Sequence, residues 1–95
     1  MIGVYAVLKI QEGKGAEFEK YAEEAIAQVL EKEPGCLLYR LFKIKDDEYA
    51  FIETYEDQAA LEAHGASDHF KANGRNFAKV LAGRPEVAYG PVIAG

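Results

Sequence analysis

Two stretches of this chain are apolar on both sides of the strands they would form, and the chain has too little helix to cover both sides. In IGVYAVLKI (residues 2–10), Ile2, Val4, Ala6, Leu8 and Ile10 share one side, with Tyr5 and Val7 on the other. In CLLYRLFKI (36–44), Leu38, Phe42 and Ile44 oppose Leu37, Tyr39 and Leu41. An antiparallel sheet with one solvated face would alternate apolar and polar residues instead. Two helices can cover only one face of a four-stranded sheet, and no segment of the 95 residues is left over for the other. At about 25 cal/mol per Å², several hundred Å² of wet apolar sheet would cost many kcal/mol. Association of two copies through that face is the economical solution, so a homodimer is expected.

The element order follows from changes of period. Residues 2–10 are β-branched and apolar and read as a strand. From Gly15 to Glu33, apolar residues recur every three or four positions (Phe18, Tyr21, Ala22, Ala25, Ile26, Val29, Leu30), with charged residues between them. That is an amphipathic helix, stopped by Pro34-Gly35. Strands over 36–44 and 48–56 flank the polar turn KDDE as a hairpin. Asp57 is a candidate N-cap for a helix through Ala59, Leu61 and Ala63. Gly65 is expected to interrupt it. Ser67 can cap a second piece carrying Phe70, Phe77, Val80 and Leu81 on one face. Residues 86–94 form a last strand, placed at a sheet edge by Pro91. The result is an α+β chain of order β-α-β-β-α-β, the ferredoxin-like split unit, as one domain over 1–95.

Composition removes several classes of function. The net charge is −5 and the basic residues are scattered, which argues against nucleic acid or an anionic membrane as partner. No basic-then-apolar leader and no span-length apolar run occurs. One cysteine, Cys36, allows no internal disulfide, and a cytoplasmic location is expected.

Both histidines of the chain lie in LEAHGASDHF (61–70). His64 falls near the C-terminal end of the first helical piece, where the helix dipole favours imidazolium. His69 falls in the first turn of the second piece, where it favours the neutral ring. Environments that push two titratable groups apart suit acid and base roles, with His69 as the neutral base and His64 as proton donor or anion anchor. The alternative is that His64 is only a favourable dipole partner and His69 a solvated first-turn residue, and residue chemistry alone does not decide between them. Glu53 shares a strand side with Tyr49, Phe51 and Tyr55, and Asn73 sits on the apolar stripe between Phe70 and Phe77. These polar groups line one cavity if the Glu53 side is the helix-covered one. Otherwise Glu53 pairs with Arg40 on the neighbouring strand, and Asn73 bonds backbone at the helix break. No metal is expected: five residues is about 140° of helical rotation, and no H-E-x-x-H motif is present. GKG at 13–15 lacks the G-x-G-x-x-G spacing, so no nucleotide cofactor is expected, and Ser67 with one histidine is a weak basis for a nucleophile.

The run E-x-Y-E-D-x-x-A-L-E-A-H-x-x-S-D-H-F-K-A, Glu53 to Ala72, resembles the antibiotic biosynthesis monooxygenase domain family, closest to its small bacterial quinol monooxygenases. E-P-G-C-L-x-Y, Glu33 to Tyr39, matches the helix-to-strand junction of the same family. The resemblance implies a dimeric α+β barrel with a cavity in each subunit and oxygenation of aromatic substrates by O₂ without metal, flavin or haem. It implies His64 and His69 as catalytic residues, and Glu53, Tyr55, Phe70 and Asn73 as substrate-binding ones. Tyr55 stands where many members carry tryptophan. Haem-degrading relatives need an asparagine on strand one, that tryptophan and a histidine late in the second helix. Here the positions read as Ala6 or Val7, Tyr55 and Gly74, so haem oxygenation is not expected.

The expected activity is cofactor-independent monooxygenation of a quinol or hydroxylated polycyclic aromatic. A proton-shuttling isomerase of a small metabolite, or a non-catalytic dimeric barrel that binds a small ligand, uses the same fold.

Overall fold

The computed structural model describes all residues, 1–95. Strands β1 (Ile2–Lys9), β2 (Cys36–Lys45), β3 (Glu48–Tyr55) and β4 (Glu86–Pro91) form one sheet in the order β2-β3-β1-β4. Every neighbouring pair is antiparallel. Helices α1 (Gly15–Lys32), α2 (Gln58–Ala66) and α3 (Asp68–Ala78) complete the chain. The expected α+β order is present, with the second helix in two pieces. None of the helices is long and apolar enough to cross a membrane.

The break between α2 and α3 falls at Ser67 rather than at Gly65, which continues α2. Ser67 takes an extended conformation (ψ 150°), and its hydroxyl makes the turn self-sufficient. It donates to the carbonyl of His64 (2.7 Å) and accepts from the amide of Phe70 (3.2 Å). One residue thus closes one helix and caps the next, and a glycine is not required. Asp57 caps α2 as expected, accepting from the amide of Ala60 at 2.8 Å. Two further expectations fail at the C-terminal end. Val80 and Leu81 lie beyond α3 because the chain leaves the helix at Lys79 to bridge Leu81 to Ile10. The last strand stops at Pro91, opposite Ile2, because β1 begins there; Val92 still donates to the carbonyl of Met1 (2.9 Å), after which no partner strand is left.

The core lies between the sheet and α1. Phe18, Ala22, Ala25 and Val29 form the buried stripe of α1, and Leu8, Tyr39, Tyr49, Phe51 and Tyr55 face it. Phe18 is fully buried, with its ring 4.8 Å from Tyr49 and 5.4 Å from Phe77. Cross-strand register settles which side Glu53 occupies. It pairs with Val4 of β1 and Tyr39 of β2, on the helix-covered face. Arg40 pairs with Ile52 and so points the other way, which removes the Arg40–Glu53 pair.

The opposite face carries adjacent rows from three strands, Tyr5–Ile52–Arg40 and Val7–Ala50–Phe42. Tyr5 and Phe42 are each 50% exposed and Ile52 37%. Large side chains at this exposure on neighbouring strands form a continuous apolar surface, not scattered single residues.

Candidate active site

His64 stands in the last turn of α2, and the approach of α2 to the α1–β2 junction depends on one glycine. A Cβ on Gly35 would lie 2.7 Å from that of Ala60. With no side chain there, α2 packs against the junction and His64 reaches the residue that ends α1. That residue is Glu33, 31 positions earlier. Its carboxylate meets His64 Nδ1 at 2.9 and 3.0 Å, and the same group bonds His69 Nε2. Ser67 Oγ lies 3.2 Å from His69 Nε2 as well. The three side chains are nearly closed off, His64 at 6% and Glu33 and His69 at 11% exposure.

A carboxylate can only accept, so the Glu33 contact places a proton on His64 Nδ1, and in the neutral ring the lone pair is then on Nε2. That nitrogen has no protein partner, and no buried polar side-chain atom in the chain is left unpaired. His64 lines one cavity, which is where this free nitrogen can meet a ligand.

That space is a cavity of about 250 Å³ between α1, α3 and the sheet. Its size falls just below the usual range for small-molecule sites, about 300–1,000 Å³. Ala6, Leu8, Val29, Phe51 and Phe77 make most of its wall, and Glu53, His64 and Asn73 are its polar points. Phe70 borders it and meets the His64 ring edge-on at 4.8 Å. The rings of Tyr55 and Tyr39 stand 5.3 and 5.5 Å from the same imidazole.

Of the residues singled out from sequence, His64, Glu53, Phe70 and Asn73 share this cavity. Tyr55 does not reach it. It is fully buried behind Glu53 and donates its hydroxyl to Glu53 Oε1 at 2.6 Å. His69 does not reach it either: it lines a separate groove with Glu33, Cys36 and Asp57. The neutral base assigned to His69 from helix-dipole position thus has no access to the cavity, whereas His64 does. Asn73 donates Nδ2 to Gln28 on α1 (3.0 Å) rather than to backbone at the break. Ser67 spends its hydroxyl on the helix junction.

Glu33 and Tyr39 were not among the candidates. Glu33 sits in the E-P-G-C-L-x-Y run, but a glutamate ending a helix carries no sign of a tertiary partner 31 residues away.

Burial raises Glu53 above the ordinary carboxylate range, opposed by the Tyr55 hydrogen bond and the nearby His64, and assisted by Glu33. A carboxyl raised on folding binds protons more tightly in the native state. Stability should therefore fall as pH rises from about 4.5 through the raised native value. Glu53→Gln keeps an acceptor for Tyr55 and removes this dependence. Chemical denaturation between pH 4 and 8 is expected to show a flatter profile for the variant. Equal slopes would mean that Glu53 titrates normally. Burial also pushes the Cys36 thiol up to about 11, helped by the Glu33 and Glu53 charges.

Glu33, His64 and His69 are the residues able to hold a metal ion. Their ligand atoms lie within 4.8 Å of one another, on the far side of the His64 ring from the cavity.

The family model described as "Antibiotic biosynthesis monooxygenase" matches residues 1–74. Among solved structures, a candidate antibiotic biosynthesis monooxygenase from Caulobacter crescentus superposes with a TM-score of 0.91 at 41% identity, covering 98% of this chain and 90% of that one. A conserved protein from Methanosarcina mazei matches at 26% identity and a TM-score of 0.88, covering 94% and 89%. A Nitrosomonas europaea protein described in the same way as the Caulobacter one has a TM-score of 0.91 at 14% identity, covering 99% and 100%, a likeness of fold alone. No curated protein matches the chain.

Proposed function

The chain belongs to the antibiotic biosynthesis monooxygenase family, and from this premise we propose that it is a cofactor-independent monooxygenase acting on a quinol or hydroxylated aromatic. The observation that carries this reading is a buried imidazole in the wall of an apolar cavity, with Nδ1 engaged by Glu33 and Nε2 free of protein partners. His64 Nε2 takes a proton from the bound substrate, and the resulting anion is reducing enough to pass an electron to O₂. For an anthrone-like substrate, one oxygen atom becomes the new carbonyl and the other leaves as water with the two hydrogens of the oxidised carbon. Glu33 stabilises the imidazolium formed on the way, the part a buried carboxylate plays beside a catalytic histidine. The free oxygen of Glu53 and the amide of Asn73 position the substrate oxygens, and Phe70 closes the wall. The apolar lining keeps water from the anion and its radical products. His69 and Tyr55 are positioning residues here, one holding Glu33 and the other holding Glu53.

The test is oxygen uptake by EDTA-treated protein against a panel of quinols and anthrone-like compounds. One O₂ per substrate above the autoxidation blank is expected. No uptake with any compound would overturn the reading. A second reading, isomerisation of a small metabolite, draws on Glu53 and His64 facing one cavity as an acid and base pair. It is favoured if ligands bind without oxygen being consumed.

The quaternary part of the proposal is a homodimer in which a second copy covers the Tyr5, Phe42 and Ile52 face. The two copies would enclose the apolar rows that the helices leave bare. Light scattering is expected to give twice the 10.5 kDa chain mass, and a Tyr5→Glu/Ile52→Lys variant about half the wild-type value. A monomeric wild type would refute this arrangement.

A further inference from the structure

We propose that Glu33, His64 and His69 form a site for a divalent first-row transition-metal ion, and that an ion bound there switches off the cavity-facing base. The first half stands on geometry alone; the second rests on the function proposed above.

Three donors from three separate elements converge: the residue closing α1, the last turn of α2 and the first turn of α3. Two imidazole nitrogens and a carboxylate suit cobalt, nickel, iron(II) or zinc better than magnesium or calcium, which prefer oxygen alone. The spacing of His64 and Glu33 fits as well. Metal–ligand bonds of about 2.1 Å place adjacent ligand atoms of an octahedron about 3.0 Å apart. His64 Nδ1 stands 2.9 and 3.0 Å from the two Glu33 oxygens. His69 would shift to complete the set, since the three ligand atoms lie within 4.8 Å of one another and a shared ion at about 2.1 Å spans at most about 4.2 Å.

Access comes from the groove behind the site, where water can complete the coordination shell. Lys32, Glu56 and Asp57 line that groove together with Glu33, so acidic groups outnumber basic ones along the entry. The present hydrogen-bonded triad is the proton-loaded form of the same donor set, and metal and protons compete for it.

The consequence for the cavity is a change of tautomer. With no ion, Glu33 holds the His64 proton on Nδ1 and Nε2 is an acceptor. An ion on Nδ1 needs that lone pair, so the proton moves to Nε2, where the ring can donate to a substrate oxygen but cannot remove a proton. The ion would then inhibit the enzyme rather than serve as its cofactor, reaching the base from the side opposite the substrate.

The experiment titrates EDTA-treated full-length protein with CoCl₂, followed by visible absorption and calorimetry, beside Glu33→Gln, His69→Gln and the control Glu86→Gln at the start of β4. Circular dichroism confirms that each variant is folded. One ion per chain is expected, with affinity lower by at least about tenfold in the first two variants and unchanged in the control. Absence of saturable binding, or wild-type affinity in both ligand variants, overturns the site. For the switch, ¹⁵N NMR with and without ZnCl₂ is expected to move the His64 proton from Nδ1 to Nε2. A proton that stays on Nδ1 overturns it. Zinc is expected to inhibit oxygen uptake by wild type at a concentration at least about tenfold lower than it needs for His69→Gln, each rate taken relative to its own zinc-free value. If wild type consumes no oxygen with any quinol, the function proposed above fails, while the cobalt and NMR results still decide the site.

Discussion

His64→Ala is expected to lower kcat/KM for quinol oxidation by about 10²–10⁴-fold, the usual contribution of a positioned general base. His64 is the cavity's only imidazole, and its Nε2 is the atom proposed to take the substrate proton. Glu33→Gln tests the rest of the argument. A glutamine oxygen can still accept from Nδ1–H, so the tautomer survives while the charge facing the imidazolium is lost. Its expected loss is smaller, about 10–100-fold, in line with outer partners that orient a reactive histidine. Substrate affinity in both variants, measured anaerobically by fluorescence quenching, should stay within a few-fold of wild type. If His64→Ala retains wild-type turnover while remaining folded, the base lies elsewhere and the cavity argument fails.

The largest stability effect is expected at Phe18, which does not line the cavity. Phe18→Ala should cost about 3–5 kcal/mol, because a fully buried ring leaves a cavity its neighbours cannot fill. The rings of Tyr49, Phe51 and Phe77 surround it and belong to both the sheet and α3, so collapse would require moving separate elements together. Domains of this size have about 5–15 kcal/mol in total, so the variant would retain little. Each lost kcal/mol lowers the melting temperature by roughly 4–8 °C, which predicts a fall of at least about 12 °C by calorimetry. A fall below about 4 °C would show that this core repacks freely, contrary to a close-packed interior.

The proposed site was partly legible before any coordinates. Glu53 and Asn73 stood out because each interrupts an apolar stripe, and a polar side chain on such a stripe needs a buried partner or a ligand. Both line the cavity. The histidines stood out as the chain's only pair, yet their roles did not follow from helix position. A helix dipole acts along one axis, whereas the deciding contact, Glu33 on His64 Nδ1, comes from a different helix end. Placing the break at Gly65 erred for a related reason. Glycine weakens a helix, but Ser67 can satisfy both helix ends with a single hydroxyl, and that bonding outweighs the propensity difference.

Local periodicity determined the elements, because a side chain's spacing along the chain decides which face of a strand or helix it occupies. It also showed that both faces of the sheet are apolar, and hence that one face would remain bare of helix. Tertiary structure alone decided the rest: the parity of β3, the seating of α2 against Gly35, and the meeting of Glu33 with two histidines. These depend on cross-strand register and on contacts between residues tens of positions apart, and neither leaves a periodic trace in the chain. Spacing can put His64 and His69 about 140° apart on an unbroken helix; only a turn at Ser67, packed on the end of α1, brings both rings to one carboxylate.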